Sequence, residues 1–180
     1  MKFEVLKNIS IFKYLSEAEI DIISNQLEEK TFNEGETIVE ESNTGHEMYI
    51  IIDGEVQVIL KREDTLLVLA KLGPGGFVGD MALLTDHPRS ATVKALTKCT
   101  TLIFRKELLD SMMEEYPSTM GKFLKALAEE LCDRIQNANE NVETLFLINK
   151  AIVDNEQFRR LYIGAHKQSP SGSTGSSTNS

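Results

Sequence analysis

Between Thr31 and about Phe104 the apolar residues of this chain come in short runs rich in Ile and Val, each broken off by glycine. The runs "ETIVEE", "HEMYIII", "GEVQVIL", "TLLVLAKL", "ATVKAL" and "CTTLIF" are strand-sized, and β-branched residues pack well on a pleated surface. Asn33-Glu34-Gly35, Asn43-Thr44-Gly45 and Asp53-Gly54 punctuate them, the last with the chemistry of a tight hairpin turn. This pattern predicts an antiparallel roll or jelly-roll-like barrel.

Helical spacing flanks the strands, so the expected class is α+β. Ile11, Tyr14, Leu15, Ile20, Ile23 and Leu27 recur at helical intervals, and Ser16 with Glu19 has the form of a capping box. "RKELLDSMMEEYP" reads as a helix stopped by Pro117. Beyond it Leu124, Ala128, Leu131, Ile135, Ala138, Val142, Leu145, Asn149 and Ile152 alternate in steps of four and three. Such a seam suits a dimer of long helices, with Phe123, Leu127 and Phe146 as a second apolar flank against the roll. An ordinary amphipathic helix packed on its own domain is the other reading. Asn149 either sets register in a parallel pair or marks its end.

The expected organisation is a helical segment over 1–30, a roll over 31–117, a long helix and a short one over 118–166, and a Ser/Gly/Thr tail over 167–180. The tail has nothing to bury and is expected to be disordered. With 180 residues, 41% of them hydrophobic, the chain can build one core with extensions. It has no apolar run near the roughly twenty residues of a membrane span and no signal-peptide pattern, which predicts a soluble, cytoplasmic protein. A net charge of -9 repels nucleic acid and anionic lipid. Cys99 and Cys132 are too few for a thiolate metal site and read as packed small hydrophobes. His46, His87 and His166 have neither metal-site spacing nor a nucleophile beside them, so no catalytic residue, no metal and no enzyme activity are expected.

The densest chemistry lies in "GGFVGDMALLTDHPRSATV", residues 75–93. Gly79 lets backbone amides approach a ligand, and a short helix beginning there directs its N-terminal amides toward an anion. Arg89 adds a bidentate, permanently charged partner, and Ser90, Ala91 and Thr92 are small enough for a phosphate to rest against them. Asp80 repels a phosphate but accepts hydrogen bonds from sugar hydroxyls, so the two together describe a nucleotide. The competing reading is a turn in which Arg89 pairs with Asp80 or Asp86. His87 can hydrogen-bond near a ligand, although Asp86-His87-Pro88 is also a plain turn.

This stretch resembles the phosphate-binding cassette of cyclic-nucleotide-binding domains, the module of catabolite-activator-type regulators and of cAMP-dependent protein kinase regulatory subunits. Val78, Gly79, Met81, Ala82 and Leu83, then Arg89, Ser90, Ala91, Thr92 and Val93, fit the family form, with cassette limits of 78 and 93. Asp80 stands where the family has Glu. In "NEGETIVEESNTGHEMYIIIDGEVQVIL" Gly35, Gly45, Tyr49 and Gly54 follow the family's strand-turn signature, and His46 replaces a more usual acidic residue. The resemblance spans about residues 8–150.

It implies that Arg89 binds the cyclic phosphate of cAMP or cGMP, helped by Ser90 and by the backbone of Met81 and Ala82. Gly79 and Asp80 would face the ribose 2'-hydroxyl, and Val58 and Leu69 the base. In the catabolite-activator branch the long helix touches adenine with two small polar residues. Ala138 and Asn139 stand there, and Asn139 keeps a donor and an acceptor. The Arg89-Ser90 pair suits either nucleotide.

The resemblance makes the chain a cyclic-nucleotide sensor, dimeric through its long helix, that moves this helix about a hinge near Tyr116-Pro117. Transcription factors of the family add a helix-turn-helix after the long helix, whereas "LINKAIVDNEQFRRLYIGAHK" holds one more helix, with Arg159 and Arg160 in a stretch, Ser118 to Lys167, that is charge-balanced. No DNA binding is therefore expected. An unidentified effector protein would read the signal, unless the chain is a fragment of something longer. Two alternatives stand beside this reading: a barrel that has lost its ligand and serves as a dimerising or interaction scaffold, and a sensor of another anion, such as a dicarboxylate, using Arg89 without Asp80.

Overall fold

The computed structural model describes residues 2–63 and 65–154. Two four-stranded antiparallel sheets form the roll, in the orders β1-β8-β3-β6 and β2-β7-β4-β5. The strands are β1 (Glu28–Phe32), β2 (Thr37–Val39), β3 (Glu47–Asp53), β4 (Val56–Arg62), β5 (Thr65–Leu72), β6 (Phe77–Val78), β7 (Thr92–Ala95) and β8 (Cys99–Arg105). The helices are α1 (Lys2–Leu6), α2 (Glu17–Gln26), α3 (Asp80–Leu84), α4 (Lys106–Glu115) and α5 (Pro117–Asp154), with a 3-10 turn at Ser10–Phe12. The chain divides into two units, one ending at Leu131 and the other beginning at Cys132. The short helix and disordered tail expected after Asp154, with Arg159, Arg160 and His166, lie outside the described residues.

Strand periodicity explains the unbroken apolar runs at 48–52 of β3 and 102–104 of β8. Successive side chains point to opposite faces, so a strand buried on both sides needs apolar residues at every position. On β3, Tyr49 and Ile51 enter the core inside the roll, while Met48 and Ile50 join a second core beneath the helices. On β8, Cys99 and Ile103 point inward and Leu102 and Phe104 outward. Cys99 is buried, and burial pushes its thiol above the ordinary range, as expected for a packed small hydrophobe. Cys132 departs from that expectation, because it lies on the exposed stretch of α5 past Leu131.

The outer core binds the N-terminal helices to the start of α5. Phe123 stacks between Phe12 and Phe104, with ring centroids 5.6 and 5.2 Å away. Met120 and Leu127 are buried in the same core, and Leu124 and Leu131 pack against it. Tyr14, expected among the apolar positions, is instead 40% exposed, with its hydroxyl donating to Glu129 and Lys125 lying 4.6 Å over its ring.

Ser16 caps α2, its hydroxyl accepting from Glu19 N while the Ser16 amide donates to Glu19 Oε2 at 2.7 Å, the expected capping box. The same carboxylate takes Lys122 Nζ at 2.7 Å and the Thr119 hydroxyl at 3.1 Å, so a local cap also fastens α2 to α5. The Lys122 hydrogen bond, seconded by the Ser16 amide, lowers the Glu19 carboxyl from 4.5 to about 2. A carboxyl depressed on folding contributes stability above its unfolded pKa and loses it as pH falls toward the folded value. Thermal stability should therefore drop between about pH 5 and pH 2 by about 1–2 kcal/mol, allowing for the solvent around Lys122. Glu19→Gln should flatten that part of the melting curve series, and an unchanged acid dependence would refute the assignment.

Three features depart from the expected pattern. The Asp53-Gly54 turn does not close a hairpin, because β3 and β4 lie in different sheets. It carries the chain between layers, with Glu55 O accepting from Leu96 N at 2.7 Å and Gly54 at φ +85 against Lys98 and Cys99. β1 begins inside the segment expected to be helical and crosses its boundary at Thr31, since of "EEKTF" only Phe32 is buried. Phe146, expected to flank the roll, is 65% exposed in the second unit, where seam residues Ile135, Val142 and Leu145 are exposed as well. β5 carries four exposed apolar residues in a row, Leu66 to Leu69. Among the described residues no helix is long and apolar enough to cross a membrane.

Candidate ligand-binding site

Arg89 occupies the stretch between α3 and β7, its backbone held on both sides. Its amide donates to Asn43 O and its carbonyl accepts from Ser42 N, each at 2.9 Å, which ties this stretch to the loop before β3. Pro88 restricts the residue before it and presents Arg89 in a fixed direction. The side chain is only 7% exposed, and its Nη2 donates to Glu47 Oε2 at 3.1 Å. Glu47 Oε1 accepts in turn from Arg105 Nη1 at 3.3 Å, and Arg105 Nη2 donates to Glu28. Arg89 Nη1 is buried and makes no hydrogen bond. Leaving a buried donor unpaired costs about 1–3 kcal/mol, which a protein tolerates where a ligand will supply the acceptor.

Two glycines make room for this guanidinium. A Cβ on Gly45 would stand 2.7 Å from Arg89 Nη2, and one on Gly79 2.5 Å from Nη1. Gly79 is also left-handed, at φ +82, and precedes the first residue of α3. The two motifs singled out in the sequence, the Gly45 turn and the Gly79 turn, therefore close on one side chain.

Two clefts flank Arg89. The first, of about 60 Å³, is lined by Gly79 to Ala82 and by His87, Pro88, Arg89 and Ser90. The second, of about 150 Å³, is bounded by Ile38, Val39, Glu40, Asn43, Thr44, Gly45, Glu47 and Tyr49, again with Arg89. Burial, then the neighbouring Glu47 charge, pushes the Tyr49 hydroxyl above its ordinary range. Six of the residues expected in the site, Gly79, Asp80, Met81, Ala82, Arg89 and Ser90, thus meet in one cleft.

Asp80 is 6% exposed at the start of α3. The Ala82 amide, expected to serve the phosphate, donates here to Gly79 O at 3.0 Å and closes the turn. Ala91 is buried. Val58 packs against the inner core, and Leu69, 50% exposed, is the residue that the β4-β5 register skips between Val58 and Ile59. Asn139 lies on the exposed stretch of α5 in the second unit.

Asp86, one of the two acids considered as partners of Arg89, is taken by Lys106 Nζ at 2.6 Å, with His46 Nδ1 3.7 Å away. The Lys106 hydrogen bond holds its carboxyl below the usual range. Glu47 takes that partner role. The available clue was a charge at the head of the most apolar strand, which a sequence spares only where that charge is paired.

Residues 29–116 match the family profile of the cyclic nucleotide-binding domain. Over 132 residues the chain is 33% identical to the "cAMP-dependent protein kinase regulatory subunit" of Dictyostelium discoideum, covering 67% of this chain and 40% of that protein. It is 37% identical over 99 residues to a cGMP-dependent protein kinase of Plasmodium berghei, covering 54% of this chain and 11% of the kinase. The chain therefore spans well under half of these relatives. Among solved structures, a cyclic nucleotide-binding domain from Methylobacillus flagellatus superposes with a TM-score of 0.71 at 22% identity, over 79% of this chain and 81% of the other. At that identity the likeness speaks for the fold.

Proposed function

The chain belongs to the cyclic nucleotide-binding domain family through residues 29–116, and from that premise we propose that it is a sensor of cAMP or cGMP whose ligand state is passed to α5. The observation that carries the reading is the buried Arg89 guanidinium with an unpaired Nη1 at a cleft walled by the Gly79 turn. A cyclic phosphate supplies the missing acceptor. Ser90 and the Met81 amide lie in the same wall for its other oxygens, and Asp80 takes the ribose 2'-hydroxyl. Val58, Leu69 and Ala91 frame the rest of the ligand. In this reading the role of the chain is regulatory.

The route to α5 runs through α4. Arg105 ends β8 and Lys106 begins α4, and both are held by acids that belong to the site or border it, Glu47 and Asp86. α4 ends at Tyr116, in a non-helical conformation with φ -127 and ψ 57, and Pro117 starts α5. A proline at that first position breaks the continuity of two helices and makes the junction the natural hinge. The exposed seam Ile135, Val142 and Leu145 is the surface for a homodimer. A ligand shifts this hinge only by its differential contacts with the two positions.

Titration calorimetry with cAMP, cGMP and a dicarboxylate tests the reading. Binding of at least one nucleotide in the micromolar range or tighter is expected. Asp80→Ala should weaken it about ten- to a hundredfold, the worth of one hydrogen bond to a charged acceptor. Dicarboxylate binding that ignores Asp80→Ala would favour the other-anion reading. No heat and no thermal shift with any ligand would favour the scaffold.

A further inference from the structure

We infer that His87 is a pH-dependent second cation of the Arg89 cleft, so that an anionic ligand held there binds more tightly as the pH falls. This rests on the ligand-binding reading above. His87 lines the same cleft as Arg89, Ser90 and the Gly79 turn, two positions before Arg89 along the chain. It is exposed to solvent at the mouth of the cleft. Pro88 follows it and restricts its backbone.

The charges around it decide the effect. From α3 comes Asp80, buried in the cleft wall, and from its own loop Asp86 and Arg89. From α4 comes Lys106, and from the turn before β3 His46. Asp86 is the acid adjacent in sequence, but its Oδ1 takes Lys106 Nζ at 2.6 Å and faces His46 Nδ1 at 3.7 Å. Its charge is shared by Lys106, the largest partner, then by His46 and His87. An anion bound in the cleft favours a positive charge on its wall.

An imidazole ordinarily changes charge near pH 6.5. By linkage, a ligand that favours the charged ring is bound more tightly when the ring is charged. The cyclic phosphodiester carries one negative charge at every pH between about 5 and 8, so a change in affinity across that range reports the protein. For an exposed imidazolium lining the cleft that holds the phosphate, the gain is about three- to tenfold.

The test is titration calorimetry of the full chain with cAMP and cGMP at about pH 8 and about pH 5.5, at constant ionic strength, with circular dichroism at each pH to show that the fold persists. The expected result is about three- to tenfold tighter binding at the lower pH. His87→Gln should bring the ratio of the two affinities to about one. His46→Gln, whose side chain faces Asp86 and not the cleft, should retain the ratio. A wild-type affinity that is flat with pH, or a ratio that survives His87→Gln, overturns the inference and leaves the ligand reading standing. Absence of binding at both pH values overturns both.

Discussion

Arg89→Ala is expected to weaken cyclic nucleotide binding by about a hundredfold or more while leaving the fold intact. The guanidinium sits between two clefts, with one nitrogen committed to Glu47 and the other without a partner. A phosphate meeting that nitrogen gains a charge-assisted hydrogen bond worth about 1.5–3 kcal/mol, and the pairing of whole charges in a largely dry site adds to it. Stability should move little, since the substitution also removes a buried donor that the empty protein fails to satisfy. Glu47 keeps Arg105 as a partner, which limits the cost of losing Arg89. Arg89→Lys should fall between, keeping the charge but losing the fork that spans Glu47 and the ligand. Calorimetry and a melting curve on the three proteins decide the matter. Affinity of the alanine variant within threefold of the parent would remove Arg89 from the binding site.

Gly79→Val carries the second large effect, on stability and binding together. Any side chain there meets a left-handed backbone at φ +82, which costs a non-glycine residue about 1–3 kcal/mol. A Cβ would also stand 2.6 Å from the Glu47 carbonyl oxygen, and main chain cannot swing aside as a side-chain tip can. Its third conflict, with Arg89 Nη1, displaces the binding group itself. A loss of about 3 kcal/mol or more by urea denaturation, with no measurable nucleotide binding, is expected. Gly35→Ala provides the comparison, because Gly35 has the same φ of +82 but nothing within 4 Å of its Cβ position. It should lose about 1 kcal/mol and keep its affinity. Equal losses at both glycines would mean that backbone conformation alone, and not the approach to Arg89 and Glu47, explains Gly79.

What the sequence determined by itself was local. "TLLVLAKL" became β5, residues 65–72, with the ends its run implied, because strand length follows from an unbroken stretch of β-forming residues between turns. The Ser16–Glu19 cap and the break at Pro117 appeared as expected, each set by groups within a few residues of one another. The left-handed Gly79 turn and the short helix after it were legible for the same reason, since both lie in one continuous segment with Arg89. The tertiary structure decided whatever depends on partners distant in the chain. β1 exists because β8 offers it a hydrogen-bonding edge, and its own residues, four of five exposed, carry no strand pattern. Asp53-Gly54 has the chemistry of a hairpin but sits where the chain passes between sheets, and no local signal separates those two uses of a tight turn. Glu47 and Arg89 lie 42 positions apart, and Asp86 and Lys106 20 apart. Their pairing follows from the register of β3 against β8 and from the closing of two glycine turns on one guanidinium, a geometry that exists only once the sheets are assembled.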